Sequence, residues 1–512
     1  MAFFKKLSSP EVPANGTTLN FFIGTPEAEG ELTGNSKMKL GEIFGDYLNV
    51  FPELQTEKFI VTGRKGAGKS AIAEYIHYTA GNEANVFSDF IKTRDFESQK
   101  IVQIGKENGL IIEEKLLFEW LVLTKLIKLI IADQSLQKVK ELKDLRQFLE
   151  KNSGLIDIKS YEISEIVKTK ELQVNIEYFK RAFTSLLKRS TNIKEHKAPF
   201  YKILPHLNEV VIKLLKENVD NANEYFLIFD DLDIGFKENN EHTVETITNI
   251  LRVAKDYNID FFGKNYLNAK VIILLRDDIK RIIVKYNADT AKLFSSYEIP
   301  LIWYEQDKFR NDENTVGLKQ LINKRIAINF LREGIPYSES DPWSTLIKHD
   351  NQYNGSSFKY VIDYTFFKPR DLILFFKTLP QHAFKIPLSF GDIQKLLNSY
   401  VEEQMQEVRN ELSSIFSPDD ITNIFVALKN LKRKQPLEMN DFVEEFIEVG
   451  VEYDPLMTLL HLFNYSLVGN FENTDGTKVY FKHKEKREEP SKINFELTFI
   501  YHKALELYLK KM

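Results

Sequence analysis

Residues 57–76 read EKFIVTGRKGAGKSAIAEYI and are centred on GRKGAGKS. Gly63, Gly68, Lys69 and Ser70 satisfy every fixed position of G-x-x-x-x-G-K-[ST]. The flanks agree with the motif. Lys58, Phe59, Ile60 and Val61 suit a short buried strand, and Ser70 to Glu74 opens a helix. A phosphate-binding loop needs strand, loop and helix in that order. Gly63, Gly66 and Gly68 let backbone N–H groups converge on phosphate oxygens. The helix N-terminus adds partial positive charge. The expected nucleotide contacts are Gly63, Arg64, Lys65, Gly66, Ala67, Gly68, Lys69, Ser70 and Ala71. Lys69 is expected on the β- and γ-phosphates and Ser70 on Mg²⁺, which makes ATP with Mg²⁺ the expected cofactor. A plain glycine turn before an ordinary helix is the alternative, and the Lys-Ser pair speaks against it.

Two later stretches read as partners of this loop. Residues 225–235, YFLIFDDLDIG, are an apolar strand ending in acids, the Walker B pattern. Asp230 is the expected Mg²⁺ ligand at the strand's carboxyl end. Asp231 is the expected residue that orients or deprotonates the attacking water, with Asp233 as a second candidate. Residues 270–278, KVIILLRDD, are another buried strand with a polar end. Arg276 there is placed to sense a γ-phosphate, since guanidinium matches phosphate geometry. A helix cap by Asp277 or Asp278 is the plainer reading of the same residues. Arg370, in FKPRD, opens a further helix with a cation where the helix dipole disfavours one. A nearby phosphate would explain it, and so would pairing with Asp371 or Asp363.

The totals limit the classes of function. A chain of 512 residues holds about two to four domains. With 43% hydrophobic and 28% charged residues it is an ordinary globular protein, and 39 Phe give ample bulk for cores. A net charge of −5 means that nucleic-acid contact would need a local basic face. The absence of cysteine excludes disulfides and thiolate zinc sites, and fits a reducing cytoplasm. The start, MAFFKKLSSPEV, has no long apolar core of a secretory signal. The run Leu116 to Ala132 is interrupted by Glu119, Lys125 and Lys128, so a buried amphipathic helix is expected and no membrane partner.

Taken in order, residues 1–45 are a glycine-broken lead-in. Its FFIGTPEAEGE is either packed near the nucleotide or a surface arm. A helix from Met38 to Phe51 is expected to lead into the first strand of the core, which is expected over 46–310. Between Lys69 and Asp230 lies far more chain than a strand–helix–strand unit needs. A helical insertion is therefore expected at about 107–224, with helices at Leu110–Ala132, Leu136–Leu149, Glu171–Leu187 and Tyr201–Glu217. A helix Glu241–Asn258 and a last core strand Ser296–Trp303 complete the core. A helical lid is expected over 311–400. Helices at Val401–Phe416, Pro418–Leu431 and Pro455–Tyr465, then a strand Lys478–Lys484 after an Asp475-Gly476 turn, suggest a winged helix over 401–512. Its wing carries Lys478, Lys482, Lys484, Lys486, Arg487 and Lys492 against Glu485, Glu488 and Glu489. That allows double-stranded DNA as a partner, or a hairpin used for packing.

GRKGAGKS, LIFDDLD, VIILLRDD and KPRD, followed by a possible winged helix, resemble AAA+-type ATPases. The nearest branch is that of STAND signalling ATPases and origin-recognition initiators. With its FFIGTPEAEGE lead-in, the chain looks like bacterial P-loop ATPases often met among antiphage defence genes. The resemblance runs over roughly residues 20–510. It implies an α/β fold with a parallel sheet, helical insertion, helical lid and winged helix. It places Arg276 at the sensor 1 position and Arg370 at the sensor 2 position. It implies a cytoplasmic homo-oligomer or a protein with an effector partner, and a trans-acting arginine for which Arg281 and Arg310 are candidates. Many AAA+ motors carry Asp-Glu where this chain has Asp230-Asp231. The shorter carboxylate implies slow turnover and a switch rather than a motor. An ATP-regulated DNA-binding protein is the alternative.

Overall fold

The computed structural model describes residues 16–92, 102–103, 106–107, 109, 112–136, 140–151, 173–175, 197–216, 223–233, 236, 240–473, 478–485 and 492–512. The chain divides into two units. One comprises 50–64 and 72–300. The other comprises 1–49, 65–71 and 301–512.

The first unit is built on five parallel strands. They are β1 (Ile60–Gly63), β2 (Val86–Lys92), β3 (Glu224–Asp230), β4 (Ala269–Arg276) and β5 (Glu298–Pro300). Their order is β2-β3-β4-β1-β5. One strand, β4, thus lies between the strand that precedes the glycine loop and the strand that ends in Asp230. Every residue of β1 is buried, as is Val271 to Leu275 of β4. Such unbroken apolar runs suit parallel strands covered on both faces. The helix α1 (Lys69–Asn82) opens at the loop's Lys-Ser pair.

Three long helices share a core with the sheet: α2 (Glu114–Ala132), α3 (Phe200–Lys216) and α4 (Glu241–Lys255). α2 is the run with membrane-like composition. It is buried along most of its length, and its Lys125 ammonium lies 3.2 Å from Asp89. Among the described residues no helix is long and apolar enough to cross a membrane. α4 runs on into an eight-residue π-helix, Asp256–Gly263, past the expected end at Asn258. The Asn258 amide holds both backbone groups of Val271, at 2.8 and 2.9 Å, which ties this segment to β4. Arg276 ends β4, and α5 (Asp277–Tyr286) follows at once.

Several expected elements differ. The helix Met38–Phe51 is two short pieces, Leu40–Ile43 and Val50–Leu54. Phe44 turns extended and Asn49 has a φ of +56°, so the backbone leaves the helix between them. The helix Glu171–Leu187 fails where it is described. Gln173–Asn175 is a strand paired with Lys197–Pro199, and the rest lies outside the described residues, as does Gly154. The last core strand is limited to Glu298–Pro300, because Thr290–Tyr297 is helical.

In the second unit, α6 (Gly317–Glu333), α7 (Pro369–Phe375) and α8 (Phe390–Leu412) pack together. α8 begins eleven residues before the expected Val401, because Ser389 and Asp392 form a capping box at its start. The lead-in is packed, not a surface arm. Phe21 is fully buried, Gly16–Thr17 pairs with Lys385–Ile386, and Glu31 grips Arg325 in two contacts of 2.5 and 3.0 Å. Burial of a Phe contributes about 1.5–3 kcal/mol.

The C-terminal region holds α9 (Pro418–Leu431), α10 (Met439–Glu448), α11 (Pro455–Asn464) and α12 (Lys503–Leu509). An antiparallel sheet of β6 (Val468–Glu472), β7 (Lys478–Tyr480) and β8 (Thr498–Tyr501) accompanies them, in the order β7-β6-β8. Leu437 bridges to Phe499 on the far side of β8. The expected strand Lys478–Lys484 is shorter, because Lys482–Lys484 forms a 3-10 turn. The Asp475-Gly476 turn lies outside the described residues.

Candidate nucleotide site

The loop residues 65–71 belong to the unit of residues 301–512. Gly66 and Gly68 have φ of +82° and +97°. Only glycine adopts this region without cost, and successive turns of this kind make an anion-binding concavity. Arg370 lies on Gly66. Its N–H faces the Gly66 carbonyl oxygen at 3.4 Å, and a Cβ on Gly66 would stand 2.9 Å from the Arg370 Cβ. Trp303 donates its indole N–H to the Ala67 carbonyl at 2.8 Å. These two contacts hold the loop at Gly66 and Ala67.

Arg370 is not paired with Asp371 or Asp363, the partners considered from sequence. Asp371 accepts from the Phe366 N–H and lies near Lys368. Asp363 is taken by lysines. The Arg370 guanidinium instead approaches Glu27 of the lead-in at 3.7 Å and Glu407 of α8 at 3.5 Å. Its Nε is buried and makes no hydrogen bond among the described residues. One turn along α8, Glu411 lies 3.9 Å from Lys65. Two loosely held cations beside a glycine loop fit a polyanion that would draw them in. The lead-in's Glu27 and the α8 carboxylates could not be assigned from sequence, because Glu27 and Glu411 are hundreds of residues from their partners and Glu407 lies on a different helix from Arg370.

The acidic strand ends belong to the other unit. Asp230 is buried at the end of β3, and its carboxylate accepts from the Asp231 N–H at 2.8 Å. Asp231 has a φ of +59°, an uncommon conformation for a residue with a side chain. Its carboxylate is 3.7 Å from the ammonium of Lys92. Lys92 ends β2 and pairs in register with Asp230. Nothing near Lys92 in the sequence announces that role.

Arg276 pairs in register with Gly63, so it stands at the same sheet edge as the start of the loop. Its guanidinium holds Asp278 through Nε at 3.0 Å and Nη2 at 2.5 Å, and Asp233 through Nη1 at 3.1 Å. Burial raises the Asp278 carboxyl, but Arg276, Arg281 and the Ile279 N–H together leave it below the usual carboxylate range. The cap reading is corrected: Arg276 itself occupies the N-cap, and Asp277 and Asp278 lie inside the first turn. Asp233 is engaged by Arg276, and Arg281 is exposed.

The wing lysines are placed differently from an open basic face. Lys482 pairs with Glu485 at 2.5 Å, and Lys484 lies against Asp363 at 3.7 Å. Lys486 and Arg487 lie outside the described residues.

Residues 317–409 match the FunZ-associated C-terminal helical domain. The match takes in α6, α7 and most of α8, and therefore Arg370 and Glu407. Comparison with curated proteins gives no match.

Proposed function

We propose that the chain is an Mg²⁺-dependent P-loop ATPase that turns over slowly and acts as a nucleotide-controlled switch. The observation that carries this reading is Arg370 on Gly66. A glycine loop of the phosphate-binding pattern has an arginine from a helical domain packed on it through its backbone N–H and aliphatic stem. A bound triphosphate would compete with Glu27 and Glu407 for its guanidinium, so the helical domain would register nucleotide. The sheet order adds support: a strand between the loop strand and the acidic strand leaves room for a polar sensor, and Arg276 ends that strand.

The expected metal ligands are Ser70 and Asp230, and Mg²⁺, when bound, would neutralise phosphate charge. Lys69 and Arg370 would hold the phosphates, and Asp231 would orient water once released from Lys92. The engaged state of Asp231 and Arg276 favours slow turnover. Two of the wing cations are spent on internal pairs, which weighs against DNA as the main partner. The FunZ-associated domain is in keeping with a setting among bacterial defence genes.

The test is phosphate release from MgATP and MgGTP, with and without double-stranded DNA, beside Lys69→Ala. Slow release that Lys69→Ala abolishes supports the reading. Release that Lys69→Ala leaves unchanged overturns it.

A further inference from the structure

A cavity with mainly apolar walls and a few charged groups lies wholly within the unit of residues 301–512, apart from the glycine loop. It encloses about 200 Å³. Its walls are aromatic: Tyr304, Phe309 and Phe367. Tyr304 and Phe309 each meet the Phe367 ring edge-on, with centroids 5.2 and 5.9 Å away. Arg310, Lys359 and Lys484 bring three cations to the same space, and Asp363 is the one acid in the lining.

The charges do not balance. Asp363 already serves Lys359 at 3.0 Å, Lys503 at 3.0 Å and Lys484 at 3.7 Å. Arg310 has no ion-pair partner among the described residues and is exposed at the rim. Burial lowers the Lys484 pKa more than Asp363 raises it, so its ammonium is short of negative charge. An anion would relieve that shortage.

Two further details concern the ligand. Among the described residues the buried Asp363 Oδ1 accepts no hydrogen bond, with the Lys484 ammonium 3.7 Å away, which leaves an acceptor for an amino group. Phe367 has a φ of +53°, held by the Thr365 hydroxyl at 3.2 Å from its N–H. A bulky residue is rare in that region, and such strain collects at ligand clamps. Here it presents the Phe367 ring as a wall of the cavity, three residues before Arg370.

We propose that this cavity binds a nucleoside monophosphate whose base carries an exocyclic amine. The base lies among Tyr304, Phe309 and Phe367, its amine donates to Asp363, and the phosphate meets Arg310, Lys359 and Lys484. Aromatic walls with a few convergent polar groups are the usual make-up of such a site. The binding does not depend on the function proposed for the glycine loop.

The experiment uses full-length protein carrying Lys69→Ala, so that the loop is disabled. Radiolabelled AMP is titrated by equilibrium dialysis, beside adenosine and UMP. Saturable AMP binding is expected, at least tenfold tighter than adenosine or UMP. The further changes Arg310→Gln and Lys359→Gln, both at exposed positions, should together weaken AMP at least tenfold with an unchanged melting temperature. No saturable AMP binding, or binding indifferent to those two changes, overturns the proposal. Either result leaves the ATPase reading untouched, because that reading is decided by phosphate release from the protein with Lys69 intact.

Discussion

Arg370 occupies the space that a side chain on Gly66 would need. The Arg370 Cβ and Cδ would stand 2.9 and 3.0 Å from a Cβ placed there, and Gly66 has a φ of +82°. Glycine at 66 is thus required twice, by its own backbone and by its neighbour. Gly66→Ala should strain the loop by about 1–3 kcal/mol and displace Arg370. The expected outcome is loss of MgATP binding in a protein that still folds, read by nucleotide titration and circular dichroism. Arg370→Gln keeps the loop and removes the charge. Phosphate release should then fall about 10²-fold, the usual scale for loss of one preorganised donor.

Asp231 and Lys92 form the second testable pair, 3.7 Å apart. Asp231→Asn should slow phosphate release by about 10²-fold or more while ATP still binds. Lys92→Met frees the carboxylate and should speed release several-fold. Single-turnover kinetics separates these effects from changes in binding. A Lys92→Met protein slower than the parent would show that the ion pair positions Asp231 for catalysis instead of restraining it.

Glu31 and Arg325 are both buried and joined at 2.5 and 3.0 Å. The Arg325 Nη1 also donates to the Ile23 carbonyl at 2.8 Å. Glu31→Gln leaves a buried guanidinium without its counter-charge. Breaking such a pair costs about 3–5 kcal/mol, so urea unfolding of the unit that holds the lead-in should shift to lower urea.

Asp363 gives a pH signature. Burial opposes its ionisation, but Lys484, Lys503 and Lys359 together leave its pKa below the ordinary 3.8. A carboxyl depressed on folding contributes stability that is complete above the unfolded value. That stability is lost as pH falls through the folded one. The parent should therefore lose stability below about pH 4, and Asp363→Asn should lose less over the same range. Thermal melts from pH 3 to 6 measure this.

The glycine loop was legible because its signal is local. Phosphate loops need glycines, lysine and serine at fixed spacing between a strand and a helix, and GRKGAGKS satisfies that within one short stretch. The strands ending at Asp230 and Arg276 were legible for a similar reason: a parallel strand covered on both faces reads as an unbroken apolar run. The insertion was read less well. Its helical spacing is real in α2 and α3, but the strand Gln173–Asn175 depends on a partner at Lys197–Pro199 that spacing does not reveal.

By itself the sequence determined where the loop lies, which strands end in charge, and that a cation opens α7. Only the tertiary structure decided what those charges meet. Arg370 could have paired with Asp371 one residue away, yet it lies between Glu27 and Glu407 on Gly66. Lys92 reaches Asp231 because β2 and β3 are neighbours in the sheet, although more than a hundred residues separate them in the chain. The physical reason is one of range. Backbone conformation and apolar periodicity are set by residues next to each other, whereas the partner of a charge is set by which elements packing brings together.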